Sequence, residues 1–187
     1  HESRVPEKVV PVDVSGARIL VIDDNPINRN ILDEQLKSWG FDCAAAESGP
    51  VGLAFLRRAR EIGASVDCVI LDYQMPEMTG AAVAAMIRDD ARIADVPVVM
   101  LTSVDQADLG RLLVEQKIAA YLAKPARSSA LLETLVTVLQ RDRAWKARGP
   151  ERRSEPAPPI VAPRMRQETR AAPVARHPAR PLEVLVV

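Results

Sequence analysis

The sequence predicts a doubly wound α/β fold with a central five-stranded parallel sheet, and three observations carry that prediction. Short apolar runs alternate with amphipathic helical segments between about residues 17 and 140. The runs are rich in Val, Ile and Leu with little alternation, which is typical of parallel strands covered on both faces. Turn and cap residues separate the runs from the helical segments. Five strand–helix repeats of this kind build one sheet with helices on both sides.

The strands are expected at the five apolar runs: 17–22, 41–46, 66–71, 96–101 and 119–122. The first helix is expected to begin at Asn25-Pro26, because Pro suits the first helical position, and to end before Gly40. Thr79 can cap the helix that begins at Gly80.

Helical spacing predicts which residues face the core. The expected stripe of the first helix is Ile27, Ile31, Leu32, Leu36 and Trp39. The expected stripe of the second is Val51, Ala54, Phe55, Ala59 and Ile62. The last helix, which can extend to Trp145, presents Leu131, Leu132, Leu135, Val138 and Leu139.

Composition restricts the classes of function. The apolar fraction of 48% is ample for a core, and the net charge of zero argues against nucleic-acid affinity of the whole chain. Cys43 and Cys68 lie within apolar runs, so we expect buried free thiols in a reducing compartment. The sequence shows neither a membrane-spanning run nor a signal-peptide pattern, and the predicted location is cytoplasmic.

The flanks of the predicted domain, which spans residues 16–145, differ in character from it. Residues 1–15 are interpreted as a linker, and the chain begins with His1 rather than Met, so we expect it to be part of a longer protein. Residues 146–181 are interpreted as a disordered linker: positions 148–181 contain eight Pro, eight Arg and three Glu without hydrophobic periodicity. A solvated spacer is favoured over a nucleic-acid-binding arm, because aromatic residues are not interleaved with the arginines.

The chain ends in an apolar run at residues 182–187. The last five residues repeat the pattern of Arg18-Ile19-Leu20-Val21-Ile22 and stop where an acidic pair would follow. We interpret residues 182–187 as the first strand of a second, similar domain, with a chance apolar tail as the alternative.

Acidic and basic residues follow the predicted strands. Asp23 and Asp24 follow the first strand, Asp72 the third, Thr102 the fourth and Lys124 the fifth. In a doubly wound sheet these strand ends lie along one edge, where the carboxylates would repel one another. A hard cation such as Mg²⁺ removes that repulsion. Asp24 and Asp72 are the expected direct ligands and Asp23 a ligand through water. The backbone carbonyl of Gln74 is a further candidate ligand.

Four motifs in order resemble the response-regulator receiver domain of two-component signalling: Val21-Ile22-Asp23-Asp24-Asn25, the stretch from Leu71-Asp72 to Thr79-Gly80, Leu101-Thr102-Ser103, and Tyr121-Leu122-Ala123-Lys124-Pro125. The resemblance covers about residues 17–140. It implies a flavodoxin-like (βα)5 receiver fold with strand order 2-1-3-4-5. Thr79 departs mildly from the pattern, since many members carry Asp there.

The resemblance also implies roles for these residues. Asp72 would accept a phosphoryl group from a phosphohistidine with Mg²⁺ bound, and Thr102 and Lys124 would contact the phosphoryl oxygens. Thr102 and Tyr121 would form the conformational switch, and the Lys124–Pro125 peptide bond would often be cis. The segment itself would catalyse only its own phosphorylation and dephosphorylation.

The resemblance implies partners as well. They are a histidine kinase core acting in cis or in trans, a histidine phosphotransfer domain, and a second receiver in the same chain, all within a hybrid sensor kinase. Helix 104–116, strand five and the last helix would form the protein-binding face. We expect no contact of this segment with nucleic acid or membrane. Two alternatives stay open: a free-standing response regulator with a partner-binding tail, and a receiver used as a docking or ligand-sensing inhibitory module.

Overall fold

A computed structural model describes residues 11–103 and 116–148 of the chain, and in this part it contains five strands and four helices. In chain order the elements are β1 (Arg18–Ile22), α1 (Pro26–Ser38), β2 (Asp42–Ala46), α2 (Gly49–Glu61), β3 (Cys68–Asp72), α3 (Gly80–Asp89), β4 (Val98–Thr102), β5 (Ala120–Ala123) and α4 (Ser128–Ala147).

The five strands form one parallel sheet in the order β2-β1-β3-β4-β5, which confirms the predicted fold and strand order. The register places Ile22 beside Leu71, Asp72 beside Leu101, and Thr102 beside Ala123. Because all strands run the same way, their carboxyl ends share one edge. The residues that follow the strands therefore meet there.

The helix starts follow from local chemistry. The side chain of Asn25 accepts hydrogen bonds from the backbone N–H groups of Ile27 and Asn28, at 2.9 and 3.4 Å, and Pro26 occupies the first turn of α1. The hydroxyl of Thr79 accepts from the N–H of Ala82 at 3.3 Å and caps α3. Both predicted helix starts are confirmed, and the caps fix how each helix leaves the sheet edge.

Two apolar clusters flank the sheet. On one side α2 and α3 pack on residues that include Leu20, Leu71 and Met100. On the other side α1 and α4 pack on residues that include Val21 and Ile70. Alternate residues of each strand thus enter opposite clusters, as expected for a sheet covered on both faces. The predicted apolar face of the last helix is confirmed, since all five of its residues are buried.

The predicted core stripe of α2 is largely wrong. Val51, Phe55 and Ile62 are 46%, 41% and 62% exposed, and Ala54 is exposed as well. The face that packs on the sheet consists of Gly49, Gly52, Leu53, Leu56 and Ala59. A Cβ atom at Gly52 would lie 2.8 Å from Cγ1 of Ile22, so the glycine lets this face approach β1 closely.

The predicted core face of α1 is confirmed for Leu32 and Leu36, which are buried. It is wrong for Ile27 and Ile31, which are 67% and 57% exposed. Both isoleucines lie in the first half of α1, where the helix turns this side toward solvent.

Both cysteines are free, with Cys68 buried and Cys43 half-buried. No helix within the described residues is long and apolar enough to cross a membrane.

Several expectations lie outside the described residues. They are the linker over residues 1–10, most of the helix at 104–116, the Pro- and Arg-rich segment from 149 to 181, and the strand expected at 182–187. Within residues 11–15, Val14 is fully buried in the cluster beneath α1 and α4.

Candidate functional site

The acidic edge of the sheet brings three predicted residues together. One carboxylate oxygen each of Asp23, Asp24 and Asp72 lies within 4.8 Å of the others. Asp23 and Asp72 are 1% and 5% exposed, whereas Asp24 faces solvent more openly. Asp23 and Asp24 follow β1 directly and Asp72 ends the neighbouring strand β3, so the parallel pairing of these strands creates the cluster.

Asp23 is held by donors at the start of α1 and directly after β5. Its Oδ1 accepts from the backbone N–H of Asn25 at 2.8 Å. Its Oδ2 accepts from Nδ2 of Asn28 at 3.3 Å and from Nζ of Lys124 at 3.2 Å. Nη1 of Arg29 donates to the backbone carbonyl of Asp23 at 2.6 Å. Both oxygens of this buried carboxylate are therefore hydrogen-bonded, as a charge removed from water requires.

The backbone around Asp72 is closely packed. The N–H of Gln74 donates to Oδ1 of Asp72 at 3.1 Å, which leaves Oδ2 for other partners. Gly80 lies against the same strand end: a Cβ atom there would collide with the carbonyl oxygen of Asp72 and lie 2.9 Å from Cα of Tyr73. Only glycine allows α3 to start this close to the strand end.

Lys124 lies between the two buried carboxylates. Its Nζ is 2.8 Å from Oδ2 of Asp72 and 3.2 Å from Oδ2 of Asp23. Burial of Lys124 disfavours the charged ammonium, but the hydrogen bond to Asp72 and the charges of both carboxylates outweigh it and raise the pKa of Lys124. Its backbone N–H donates to the carbonyl of Thr102 at 2.8 Å, and the Lys124–Pro125 peptide bond is cis. The ammonium is thus held in its charged form at the acidic edge.

Thr102 and Tyr121 lie on the two strands next to the cluster. Thr102 ends β4 and is fully buried, with its carbonyl joined to the backbone of Lys124. Tyr121 is half-buried on β5 and packs against the cluster beneath α2 and α3. In the register Met100 of β4 faces Tyr121, so Tyr121 lies further from the sheet edge than Thr102. Their roles as a switch stay a prediction.

The donor set at this edge fits a hard divalent cation. Three carboxylates carry three negative charges. Among the residues that the structure describes, a single ammonium, that of Lys124, contacts them and neutralises only part of that charge. A cavity of about 360 Å³ borders Asp24, between the start of α2 and the β3–α3 loop. At roughly 30 Å³ per molecule it has room for several waters. Mg²⁺ favours such sites because it keeps several of its waters while binding one or two carboxylates.

Sequence reasoning placed the three aspartates, Thr102 and Lys124 at this edge, but it missed Asn28, Arg29 and Gly80. Asn28 and Arg29 follow the acidic pair by one helical turn, and that spacing is the signal that could have pointed to Asp23. In the sequence the Thr79-Gly80 pair indicates only a helix cap. Its contact with the strand end depends on how α3 packs, which local sequence does not specify.

Comparison with known proteins agrees with this architecture. The family model for the response regulator receiver domain matches residues 19–136. Protein PilH of Pseudomonas aeruginosa is 32% identical over 123 residues, which cover 66% of this chain and 98% of PilH. The solved structure of chemotaxis protein CheY4 of Vibrio cholerae is 28% identical, with a TM-score of 0.57 over 68% of this chain and 98% of CheY4.

The sensor histidine kinase RcsC of Salmonella typhi is 34% identical over 129 residues. The matched part covers 69% of this chain but only 13% of RcsC. The matching family model shows that this chain belongs to the response regulator receiver domain family of two-component signalling. Receiver domains of this family bind Mg²⁺ at an acidic pocket and interact with histidine kinases or phosphotransfer domains. In this chain the three aspartates are clustered at the carboxyl edge of the sheet.

Proposed function

We propose that this receiver accepts a phosphoryl group from a phosphohistidine onto Asp72 and changes conformation in response. The single observation that carries the proposal is the cluster itself: three carboxylates within 4.8 Å of one another, with the ammonium of Lys124 2.8 Å from Asp72. A structural ion pair would require one carboxylate for one ammonium. Here two further carboxylates are gathered at the same point, which favours a cation and a transferred anion.

The chemistry assigns an atom to each role. Oδ2 of Asp72 attacks the phosphorus, the nitrogen–phosphorus bond of phosphohistidine breaks, and the imidazole leaves with the electron pair and takes up a proton. Oδ1 stays bonded to the N–H of Gln74 at 3.1 Å, so the reacting carboxylate is held in a fixed orientation. Positioning and charge neutralisation are the main sources of rate enhancement in phosphoryl transfer.

The fitting cation is Mg²⁺, with Asp24 and Asp72 as direct ligands, Asp23 as a ligand through water and the carbonyl of Gln74 as a further ligand. When bound, Mg²⁺ neutralises the charge that develops on the phosphoryl oxygens. Lys124 starts in contact with the acceptor and can follow the charge to the new group.

The response begins at Thr102. Its hydroxyl donates to the aspartyl phosphate and moves toward the sheet edge, and Tyr121 turns inward on β5. A few kcal/mol of differential contact is enough to shift such an equilibrium between two states.

The wider organisation is part of the proposal. Residues 16–145, together with Val14 in the core and the end of α4 at Ala147, act as the receiver. The rest of residues 1–15 and residues 148–181 act as linkers, and residues 182–187 begin a second receiver. The partners are a histidine kinase core, in cis or in trans, and a histidine phosphotransfer domain. The similarity to a segment of RcsC supports a hybrid kinase. The coverage of 98% of PilH supports the second candidate, a free-standing response regulator. An acidic pair directly after Val187 would favour the hybrid kinase.

The direct test uses phosphoramidate, a small donor with the same nitrogen–phosphorus bond as phosphohistidine. The wild-type protein with Mg²⁺ should gain one phosphoryl group that alkali removes, as measured by intact mass. Chelation of the metal and the variant Asp72→Asn should each abolish the gain. Asp42→Asn is the matched control, because Asp42 begins β2 at the opposite edge of the sheet. Phosphorylation of Asp72→Asn at the wild-type rate would refute Asp72 as the acceptor.

A further inference from the structure

Asn28 contacts the site although it lies outside the set of residues described as acceptor, metal ligands and switch. It occupies the first turn of α1, and its backbone N–H is fixed by the cap residue Asn25 at 3.4 Å. From there its side-chain amide reaches back to Oδ2 of Asp23 at 3.3 Å. The same oxygen accepts from Lys124 at 3.2 Å. A neutral donor and a charged donor thus share one oxygen of a buried carboxylate.

This shared hydrogen bonding matters because the ammonium of Lys124 has different partners before and after phosphorylation. Without a phosphoryl group its ammonium contacts both Asp23 and Asp72. The proposed function requires the ammonium to turn to the phosphoryl oxygens on Asp72, which weakens its contact with Asp23. Asp23 is 1% exposed, so bulk solvent does not replace the charged donor that is lost, and a water held by the metal would replace it only in part. A buried carboxylate that loses its partner is strongly destabilised, and that cost would hold Lys124 back.

We propose that Asn28 is a positioning residue that keeps Asp23 hydrogen-bonded while Lys124 turns to the phosphoryl group. The inference rests on the proposed function. Asn28 can do this because its amide remains on Oδ2 when the ammonium leaves, and because the N–H of Asn25 stays on Oδ1 at 2.8 Å. Arg29 contributes by holding the carbonyl of Asp23 at 2.6 Å, so the carboxylate does not follow Lys124.

The chemistry of an amide suits this role. An amide donates to a carboxylate without adding a positive charge, so it does not weaken the attraction of the acidic edge for a cation. A carboxylate in its place would repel Asp23 and offer no donor. The inference therefore predicts a specific order of effects among substitutions at position 28.

The test measures Mg²⁺ and beryllofluoride binding separately, by NMR titration of the folded protein. Beryllofluoride with Mg²⁺ imitates the phosphoryl group on Asp72. Asn28→Ala should weaken beryllofluoride binding about tenfold, in line with a hydrogen bond to a charged group. Its Mg²⁺ affinity should stay within about twofold of wild type, since the alanine leaves the carboxylates in place. Asn28→Asp has nearly the same shape and should weaken beryllofluoride binding further.

Asn30→Ala is the matched control, because Asn30 is exposed on the same helix. In metal-free protein the amide signals of Asp23 and Asn25 should shift in Asn28→Ala and not in Asn30→Ala. A merely structural role for Asn28 would lower the urea midpoint or reduce both affinities together. It would not separate beryllofluoride binding from Mg²⁺ binding.

Two negative outcomes have different meanings. Wild-type protein that binds neither beryllofluoride nor a phosphoryl group overturns the proposed function and this inference with it. In the other outcome the wild-type protein binds beryllofluoride, and Asn28→Ala and Asn28→Asp bind it as tightly as Asn30→Ala does. That result overturns the role of Asn28 and leaves the proposed function in place. Equal losses of Mg²⁺ and beryllofluoride affinity at position 28 also overturn the role of Asn28.

Discussion

Replacement of Lys124 by methionine removes an ammonium that contacts two buried carboxylates. The side chains of Asp23 and Asp72 are 2% and 6% exposed, and that of Lys124 is 23% exposed. Removing one partner of a buried ion pair typically destabilises a protein by about 3–5 kcal/mol. Because Lys124 is partly open to water, the lower end applies. We expect Lys124→Met to lower the free energy of unfolding of metal-free protein by about 3 kcal/mol.

The metal should reverse much of this loss. A ligand at 100 times its dissociation constant stabilises the folded state by about 2.7 kcal/mol. In Lys124→Met the cluster carries one more uncompensated negative charge, so Mg²⁺ should bind more tightly than in wild type. The gain in stability on adding Mg²⁺ is therefore expected to be larger for the variant than for the wild-type protein.

Urea unfolding followed by circular dichroism, with chelator and with Mg²⁺, measures both effects. Lys37→Met is the matched control, since Lys37 forms an exposed pair with Asp33 at 2.7 Å within α1. Such a helix surface pair contributes about 0.3–0.5 kcal/mol. Two results would contradict these roles of Lys124 and the metal: a Lys124→Met protein no less stable than Lys37→Met without metal, or a smaller stabilisation by Mg²⁺ of the variant than of the wild type.

Three further predictions concern other parts of the domain. Gly80→Ala should lower the free energy of unfolding by about 1–3 kcal/mol, because the new Cβ atom would lie 2.9 Å from Cα of Tyr73; an unchanged urea midpoint would contradict this. Burial, with the hydrogen bond to a neighbouring carboxylate, raises the pKa of Cys43 to about 12, so its reaction with Ellman's reagent at pH 8 should be at least about a hundredfold slower than that of free cysteine. The hydrogen bond from Arg92 holds the pKa of Asp90 below its ordinary 3.8. The stability that Asp90 contributes is therefore present above pH 3.8 and lost below it. Below pH 3.8 the free energy of unfolding should fall less steeply with decreasing pH in Asp90→Asn than in the wild-type protein, and equal slopes would argue against this.

The strands were predictable because a strand buried on both faces appears in the sequence as a short continuous run of apolar residues. The predicted run at 66–71 and the observed β3, Cys68–Asp72, share residues 68–71, and the ends of the other strands differ from their predicted positions by at most two residues. Parallel topology then forces the residues after the strands to one edge, so the cluster of Asp23, Asp24 and Asp72 followed without coordinates.

The packing of α2 was not predictable in the same way, because that helix has apolar residues on two faces. Val51 and Phe55 have helical spacing, and so do Leu53 and Leu56. Periodicity alone does not choose between two such faces. The choice depends on Gly52, whose missing side chain lets one face approach Ile22.

The sequence by itself determined the fold class, the strand order through a family resemblance, and the residues that gather at the acidic edge. Each of these depends on residue type and position along the chain. The tertiary structure alone decided which face of α2 is buried, how closely Gly80 meets the strand end, and that Asn28 shares Asp23 with Lys124. These are contacts between side chains and backbone from different elements. They depend on distances of a few ångströms that only the packed chain defines.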